Sequence, residues 1–139
     1  MNRTLAEMIQ EQKLVTLLPD ATVQDACRRM HADRIGAVLV TADDGQLLGI
    51  FTGRDAVRAI AETHDFRARK LRHRMTKSPA NLPPGARAID ALRLMRDGGF
   101  RHVPVVQDGI AIGIVSHFDF RGLEKDRLDE EIGLWERMA

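Results

Sequence analysis

Two short constellations in this sequence combine residue types and spacing that could do chemistry: Thr52-Gly-Arg-Asp55 and Ser116-His-Phe-Asp119. In each, a hydroxyl precedes a carboxylate by three residues, directly after an apolar, β-rich run. Where a strand gives way to a helix, free backbone N–H groups and the positive dipole end favour an anion, so Thr52 and Ser116 stand where a phosphate could dock. One turn on, the carboxylate of Asp55 or Asp119 can accept from both hydroxyls of a ribose, each charge-assisted bond contributing on the order of 1.5–3 kcal/mol. The same spacing also caps a helix with no ligand present. Spacing alone favours the cap, and the two roles are compatible.

Other reactive side chains carry less. His102 and His117 could form a metal pair, but no Cys or third His is near them in sequence, and two ligands are too few for a zinc site. No metal is expected. Cys27 lies on an apolar helical stripe with no assignable base, the pattern of a small core residue. Gly98-Gly99 precedes a strand-like run, not a helix, so it is no phosphate-cradling loop. No catalytic constellation is present, and no enzyme is expected.

The elements that must position these residues come in two copies. At an offset of 65, Pro19, Ala21, Asp25, Ala26, Arg28, Met30, Val38 and Val40 fall on Pro84, Ala86, Asp90, Ala91, Arg93, Met95, Val103 and Val105. After a one-residue deletion between TADDGQ and VQDG, Asp44, Gly45, Gly49, Ile50 and Asp55 fall on Asp108, Gly109, Gly113, Ile114 and Asp119. A hairpin loop absorbs such a change at little cost. Each copy predicts a short extended piece (14–18; 80–82) and a helix with an i, i+3, i+4, i+7 stripe (Val23, Ala26, Cys27, Met30; Ala88, Ala91, Leu92, Met95). Two strands follow (37–40 and 47–51; 102–106 and 111–115), then a helix from Thr52 or Ser116. Arg87 replaces Thr22 at the first helix's cap position, a local weakness.

The expected fold class is therefore α+β, of α/β type: two βαββα repeats packed as a pseudo-two-fold disc, with N- and C-terminal helical extensions. The segments are an N-terminal helix over 1–13, opened by Thr4-Leu5-Ala6-Glu7, a first motif over 14–64, a linker over 65–78, a second motif over 79–125 and a C-terminal helix over 126–139. In the last, Leu128, Ile132 and Trp135 share one side, a packing stripe or a dimer contact.

GIFTGRDAV (49–57), GIVSHFDF (113–120) and FRHVPVV (100–106) resemble the signature of CBS motifs, over nearly everything from 5 to 123. The resemblance implies a tandem pair, a stand-alone Bateman-type module, that binds adenosine-containing ligands in two clefts between the motifs and often dimerises. It weights Asp55 and Asp119 toward ribose, and Thr52 and Ser116 toward phosphate. A flat adenine slot with backbone partners would come from Thr16, Gly36, Ala37 and Val38 in the first cleft, or Ala80, His102, Val103 and Pro104 in the second. Arg34 and Arg54 add charge to the first cleft, and Arg101, His102 and His117 add it to the second, where the first has Gly36 and Gly53 at the positions of Arg101 and His117. The second cleft is expected to be better occupied. Leu39, standing where the second copy has Pro104, departs from the hydrophobic-Pro-hydrophobic pattern.

Composition narrows the alternatives. The 139 residues suffice for a packed core without disulfides, and Cys27 has no partner. The start of the chain has no apolar stretch resembling a signal peptide, and no window approaches the roughly 20 apolar residues of a membrane span, so a cytoplasmic protein is expected. A net charge of +1 gives no global attraction for nucleic acid. The one basic run, Arg67, Arg69, Lys70, Arg72, Arg74 and Lys77, is expected to be a solvated connector rather than a nucleic-acid contact. The function expected is a regulatory sensor of an adenine nucleotide (AMP, ADP, ATP or an NAD(H)-like ligand) that needs no cofactor. It would act as a homodimer on an unknown regulated protein, away from membranes. The competing expectation is a ligand-free assembly protein acting through dimer and helix surfaces.

Overall fold

A computed structural model describes residues 3–120. In chain order the elements are α1 (Leu5–Met8), β1 (Thr16–Leu17), α2 (Val23–Asp33), β2 (Ala37–Thr41), β3 (Leu47–Thr52), α3 (Gly53–Glu62), a 3₁₀ turn (Phe66–Ala68), α4 (Leu71–Arg74), β4 (Thr76–Lys77), α5 (Ala88–Gly98), β5 (His102–Gln107), β6 (Ile110–Ser116) and a second 3₁₀ turn (His117–Asp119). This is the α+β class that the sequence predicts; the helix expected from Ser116 is, within the described residues, only the 3₁₀ turn His117–Asp119, with Phe120 back in extended conformation. The expected C-terminal helix, with Leu128, Ile132 and Trp135, lies outside the described residues.

Local chemistry explains the main elements. The Thr22 hydroxyl accepts from the Asp25 N–H at 3.1 Å while the Asp25 carboxylate accepts from the Thr22 N–H at 2.9 Å, satisfying two orphan donors at the start of α2. At α5 the Asp90 carboxylate accepts from the Arg87 N–H at 2.9 Å, so the acid's half of the arrangement survives the loss of the threonine hydroxyl. Both helices end in left-handed residues, Arg34 (φ 55°) and Gly99 (φ 70°). The second hairpin turns on Asp108 (φ 53°) and Gly109 (φ 82°), the paired positive φ of a tight hairpin turn, where the first hairpin has a longer loop.

The chain divides into two compact units. Within the described residues, unit 2 comprises 13–79 with 108–111, and unit 1 comprises 3–12, 80–107 and 112–120. Unit 2 holds a sheet in the order β1-β2-β3-β4, with β1 parallel to β2 and the other pairs antiparallel. Its core is Val23, Ala26, Met30, Val38, Val40, Phe51, Ala59 and Leu71. The Asp108–Ala111 turn completes this unit: Leu47 N–H donates to Gly109 C=O and Ala111 N–H to Gly45 C=O, each at 3.0 Å. Unit 1 holds β5 and β6 over a core that includes Leu5, Ala88, Ala91, Leu92, Met95, Val103, Val105 and Val115. The extended piece expected over 80–82 is here a single parallel bridge, Leu82 to Val105. Pro83 and Pro84 follow it and have no N–H with which to extend a ladder.

The stretch 65–78, expected as a linker, carries a 3₁₀ turn, α4 and β4, and it packs in unit 2. Its residues 69–78 stand against 3–12 at an offset of 66. Leu71 N–H donates to Ala21 C=O at 2.8 Å and Leu5 N–H to Ala86 C=O at 2.9 Å. Likewise Val23 N–H donates to Arg69 C=O and Ala88 N–H to Arg3 C=O, both at 2.8 Å, and the bridges Thr22–Lys70 and Thr4–Arg87 correspond. Each repeat thus has a leading segment, 3–12 or 69–78, that packs in the unit holding the helices and strands of the other repeat.

Candidate functional site

At the end of β3 the chain turns into α3 through a reciprocal cap. Asp55 Oδ2 accepts from the Thr52 N–H at 3.0 Å and from the Thr52 hydroxyl at 3.2 Å, while the Asp55 N–H donates to Thr52 Oγ1 at 3.4 Å. The other oxygen, Oδ1, accepts from the Thr76 hydroxyl at 3.1 Å and lies 3.6 Å from an Arg58 guanidinium nitrogen. Asp55 is only 3% exposed. A buried carboxylate needs such partners, and here both oxygens have them inside the protein.

At the end of β6 the same motif is built differently. Asp119 Oδ2 accepts from the Ser116 N–H at 2.7 Å, and among the described residues no hydrogen bond reaches Oδ1. Asp119 is exposed. Around this turn unit 1 gathers cationic and titratable groups. His117 N–H donates to Arg101 C=O at 2.9 Å, and an Arg3 guanidinium nitrogen donates to the Asp119 carbonyl at 3.0 Å. Burial pushes the His102 imidazole below its usual pKa; the Asp119 carboxylate pulls the other way and Arg101 adds to the depression. The His117 ring meets Phe118 edge-on at 6.3 Å, and Phe118 itself is 84% exposed.

The remaining candidates divide by unit. Thr16, Gly36, Ala37, Val38, Thr52, Arg54 and Asp55 lie in unit 2; Ala80, Arg101, His102, Val103, Pro104, Ser116, His117 and Asp119 lie in unit 1. Val38, Val103 and Pro104 are fully buried, so only their backbone could meet a ligand. Thr16, Gly36, Arg54, Ala80, Arg101 and His117 are exposed. Arg3 was missed by sequence reasoning; its only signal is its match to Arg69 at the offset of the leading segments.

The basic run over 67–77 is largely neutralised. Arg69 pairs with Asp65 at 3.0 Å, Arg74 with Glu62 at 3.1 Å, and both Arg72 and Lys70 with Asp20, whose carboxyl these bonds, Arg72's foremost, hold below its usual pKa. Arg67 lies 5.1 Å over the Phe66 ring. Among the described residues no group of three or more His, Cys, Asp or Glu is placed to hold a metal, and no helix is long and apolar enough to cross a membrane.

The profile of the CBS domain matches this chain twice, over residues 6–62 and 68–125. The chain belongs to the CBS-domain family. The second match begins inside the segment that carries α4 and β4. Among relatives, the CBS domain-containing protein CBSCBSPB2 of Arabidopsis thaliana is 41% identical over 104 residues, 74% of this chain. Those residues make up only 19% of the plant protein, so this chain spans about a fifth of its length. The crystal structure of the CBS-domain containing protein ATU1752 from Agrobacterium tumefaciens is 34% identical, with a TM-score of 0.77 over 86% of this chain and 91% of that one.

Two more distant CBS structures share the fold and were solved with ligands. Protein PAE2072 from Pyrobaculum aerophilum, complexed with AMP, has a TM-score of 0.82 at 23% identity over 92% of this chain and 99% of its own. The CBS pair of protein MJ0100, in complex with 5′-methylthioadenosine and S-adenosyl-L-methionine, has a TM-score of 0.79 at 19% identity over 91% and 99%.

Proposed function

We propose that this CBS pair is a regulatory module that binds an adenosine nucleotide at the Ser116–Asp119 turn and performs no catalysis. The observation that carries the reading is the contrast between the two carboxylates. Asp119 is exposed with one oxygen open to a ribose hydroxyl, whereas Asp55 is buried with both oxygens engaged. Arg101, His102 and His117 lie in the same unit to meet phosphate, and the adenosine ligands of the two distant neighbours support the ligand class. Thr52, Arg54 and Asp55 are the weaker candidate set.

In this reading nucleotide binding biases a conformational equilibrium that a regulated partner senses, as an energy sensor would, in the cytoplasm. The test is isothermal titration of the protein with AMP, ADP, ATP and adenosine, repeated on Asp119→Ala and Asp55→Ala. Loss of binding in the Asp119 variant, with binding kept in a folded Asp55 variant, supports the reading. Absence of binding to any of the four at millimolar concentration overturns it.

A second reading has its own observation. On α3, Val57 is 67% and Ile60 is 55% exposed, one turn apart on the same face. Such a patch favours an assembly surface, with a homodimer the simplest occupant. Sedimentation of Val57→Glu against the parent chain decides it: an unchanged sedimentation coefficient removes α3 from any interface.

A further inference from the structure

We propose that Gln12 is a positioning residue for the nucleotide site: its side-chain amide takes the place of a missing strand along β6 and holds the Ser116–Asp119 turn while leaving the Asp119 carboxylate open. This inference rests on the nucleotide reading above and adds to it a residue that touches no ligand.

The observation is a pair of bonds across 102 residues of chain. Gln12 Nε2 donates to the Ile114 carbonyl at 2.7 Å, and the Ile114 N–H donates to Gln12 Oε1 at 2.9 Å. These are the two bonds that facing residues of an antiparallel ladder exchange, made here by a primary amide instead of a peptide group. The bonds also fix the amide's orientation, since a flipped amide would set donor against donor and acceptor against acceptor.

The other repeat shows what the amide replaces. There β3 is paired on its outer side by backbone: β4 lies antiparallel to it, with Thr76 opposite Ile50 and Lys77 opposite Gly49. Ile50 and Ile114 are counterparts in the repeat. The backbone of the first leading segment is engaged in turns instead. Gln10 N–H donates to Glu7 C=O at 3.4 Å and Gln12 N–H to Ile9 C=O at 3.0 Å, and no strand forms over 9–12. The apolar seat is kept, with Ile9 over Gly113 as Met75 lies over Gly49. Only the ladder passes from backbone to side chain.

This exchange has a consequence for the carboxylates. The extended β4 that pairs with Ile50 also brings the Thr76 hydroxyl to Asp55 Oδ1 at 3.1 Å. Gln12 provides the pairing without a donor for Asp119, because its amide is engaged on Ile114. The end of β6 is thus held at two points, by Gln12 at Ile114 and by the Arg101 carbonyl, which accepts from the His117 N–H at 2.9 Å. Among the described residues Asp119 is fastened through Oδ2, to the Ser116 N–H at 2.7 Å. A turn ordered before its ligand arrives loses less entropy on binding.

The test is calorimetric titration of the full chain with AMP and adenosine, for the parent, Gln12→Met, Gln12→Asn and Thr4→Ala. Methionine keeps the length of the side chain without its amide, and asparagine keeps the amide but falls a methylene short. Gln12 is exposed, so neither substitution empties a core. Each should weaken AMP and adenosine alike by about two- to tenfold, the range that net hydrogen-bond contributions cover. Amide exchange at Ile114 should quicken in step. Thr4→Ala loosens the same segment by removing the acceptor of the Glu7 N–H, and should bind as the parent does.

A double-mutant cycle separates positioning from bulk stability. In an Asp119→Asn background Gln12→Met should cost less affinity than in the parent, because the carboxylate it positions is gone. Equal cost in the two backgrounds overturns the inference. Parent-like binding by both Gln12 variants, unchanged exchange at Ile114, or an equal loss in Thr4→Ala overturns it as well and leaves the nucleotide reading standing. A parent chain that binds neither AMP nor adenosine overturns that reading itself, and this inference with it.

Discussion

Thr76 donates its hydroxyl to Asp55 Oδ1 at 3.1 Å, joining β4 to the first residues of α3. The residue at the matching position of the other leading segment is Gln10, which is exposed and makes no such bond to Asp119. One threonine thus separates a carboxylate committed to the fold from one left open.

Stability should separate the two acids. Asp55→Ala strips a buried cap and leaves the Thr76 hydroxyl without its acceptor, a loss of about 1–3 kcal/mol. Asp119→Ala removes an exposed cap, at about 0.5–1 kcal/mol. Urea unfolding of the two variants checks the order, and equal losses would contradict the assigned roles.

Core positions in the leading segments should act on the opposite repeat. Leu5→Ala opens a cavity in unit 1 and Leu71→Ala in unit 2, each costing about 2–5 kcal/mol. Amide exchange should show protection lost over 88–115 in the first variant and over 23–59 in the second. Loss over 23–59 in Leu5→Ala would sink the exchange of segments.

Two glycines make the seats for those segments. A Cβ on Gly113 would fall 2.5 Å from Ile9 Cδ1, and one on Gly49 would fall 2.5 Å from Met75 Sδ and 2.9 Å from the Thr76 carbonyl. Overpacking of this kind costs about 1–3 kcal/mol. Shortening the facing side chain should recover more of the loss in Gly113→Ala paired with Ile9→Gly, which also removes the Ile9 Cβ at 2.9 Å, than in Gly49→Ala paired with Met75→Ala. In the second pair the Thr76 carbonyl, being backbone, stays in the way. Double-mutant cycles measure the difference.

Acid should reveal His102. Its pKa in the folded chain lies below the unfolded value near 6.5, chiefly through burial, so its contribution to stability is full above that pH. As pH falls below 6.5 the unfolded chain takes up the proton first, and stability declines until the folded imidazole also protonates. His102→Gln should flatten the slope of urea midpoint against pH in that window. A parallel slope in parent and variant would remove His102 as its source.

Much of this architecture is legible in the sequence because it is local. The offset of 65, the apolar stripes of α2 and α5, and the deletion absorbed at Asp108-Gly109 all follow from periodicity and turn chemistry. The leading segments are not legible in this way. Each offers a four-residue helix with one buried leucine, too short for a periodic signal, and β4 is two exposed residues, Thr76 and Lys77. Their places are set by contacts dozens of residues away.

The candidate site divides along the same line. Ser116 and Asp119 are found from spacing, but the burial of Asp55 depends on Thr76, and the position of Arg3 depends on which unit its segment joins. The sequence difference at Arg101 and His117 points toward the second repeat, while the structure adds Asp55's engagement by its own protein, which no local pattern encodes.

The crossing of the leading segments bears on ancestry. A chain with a single repeat would carry a segment whose matching seat, in the arrangement seen here, belongs to another copy of the repeat. Two such chains could satisfy each other only by trading segments, in the manner of a swapped pair. Duplication and end-to-end fusion would bring both trades within one polypeptide. The two turns, no longer obliged to be identical, would then be free to diverge, one carboxylate buried and engaged and the other exposed.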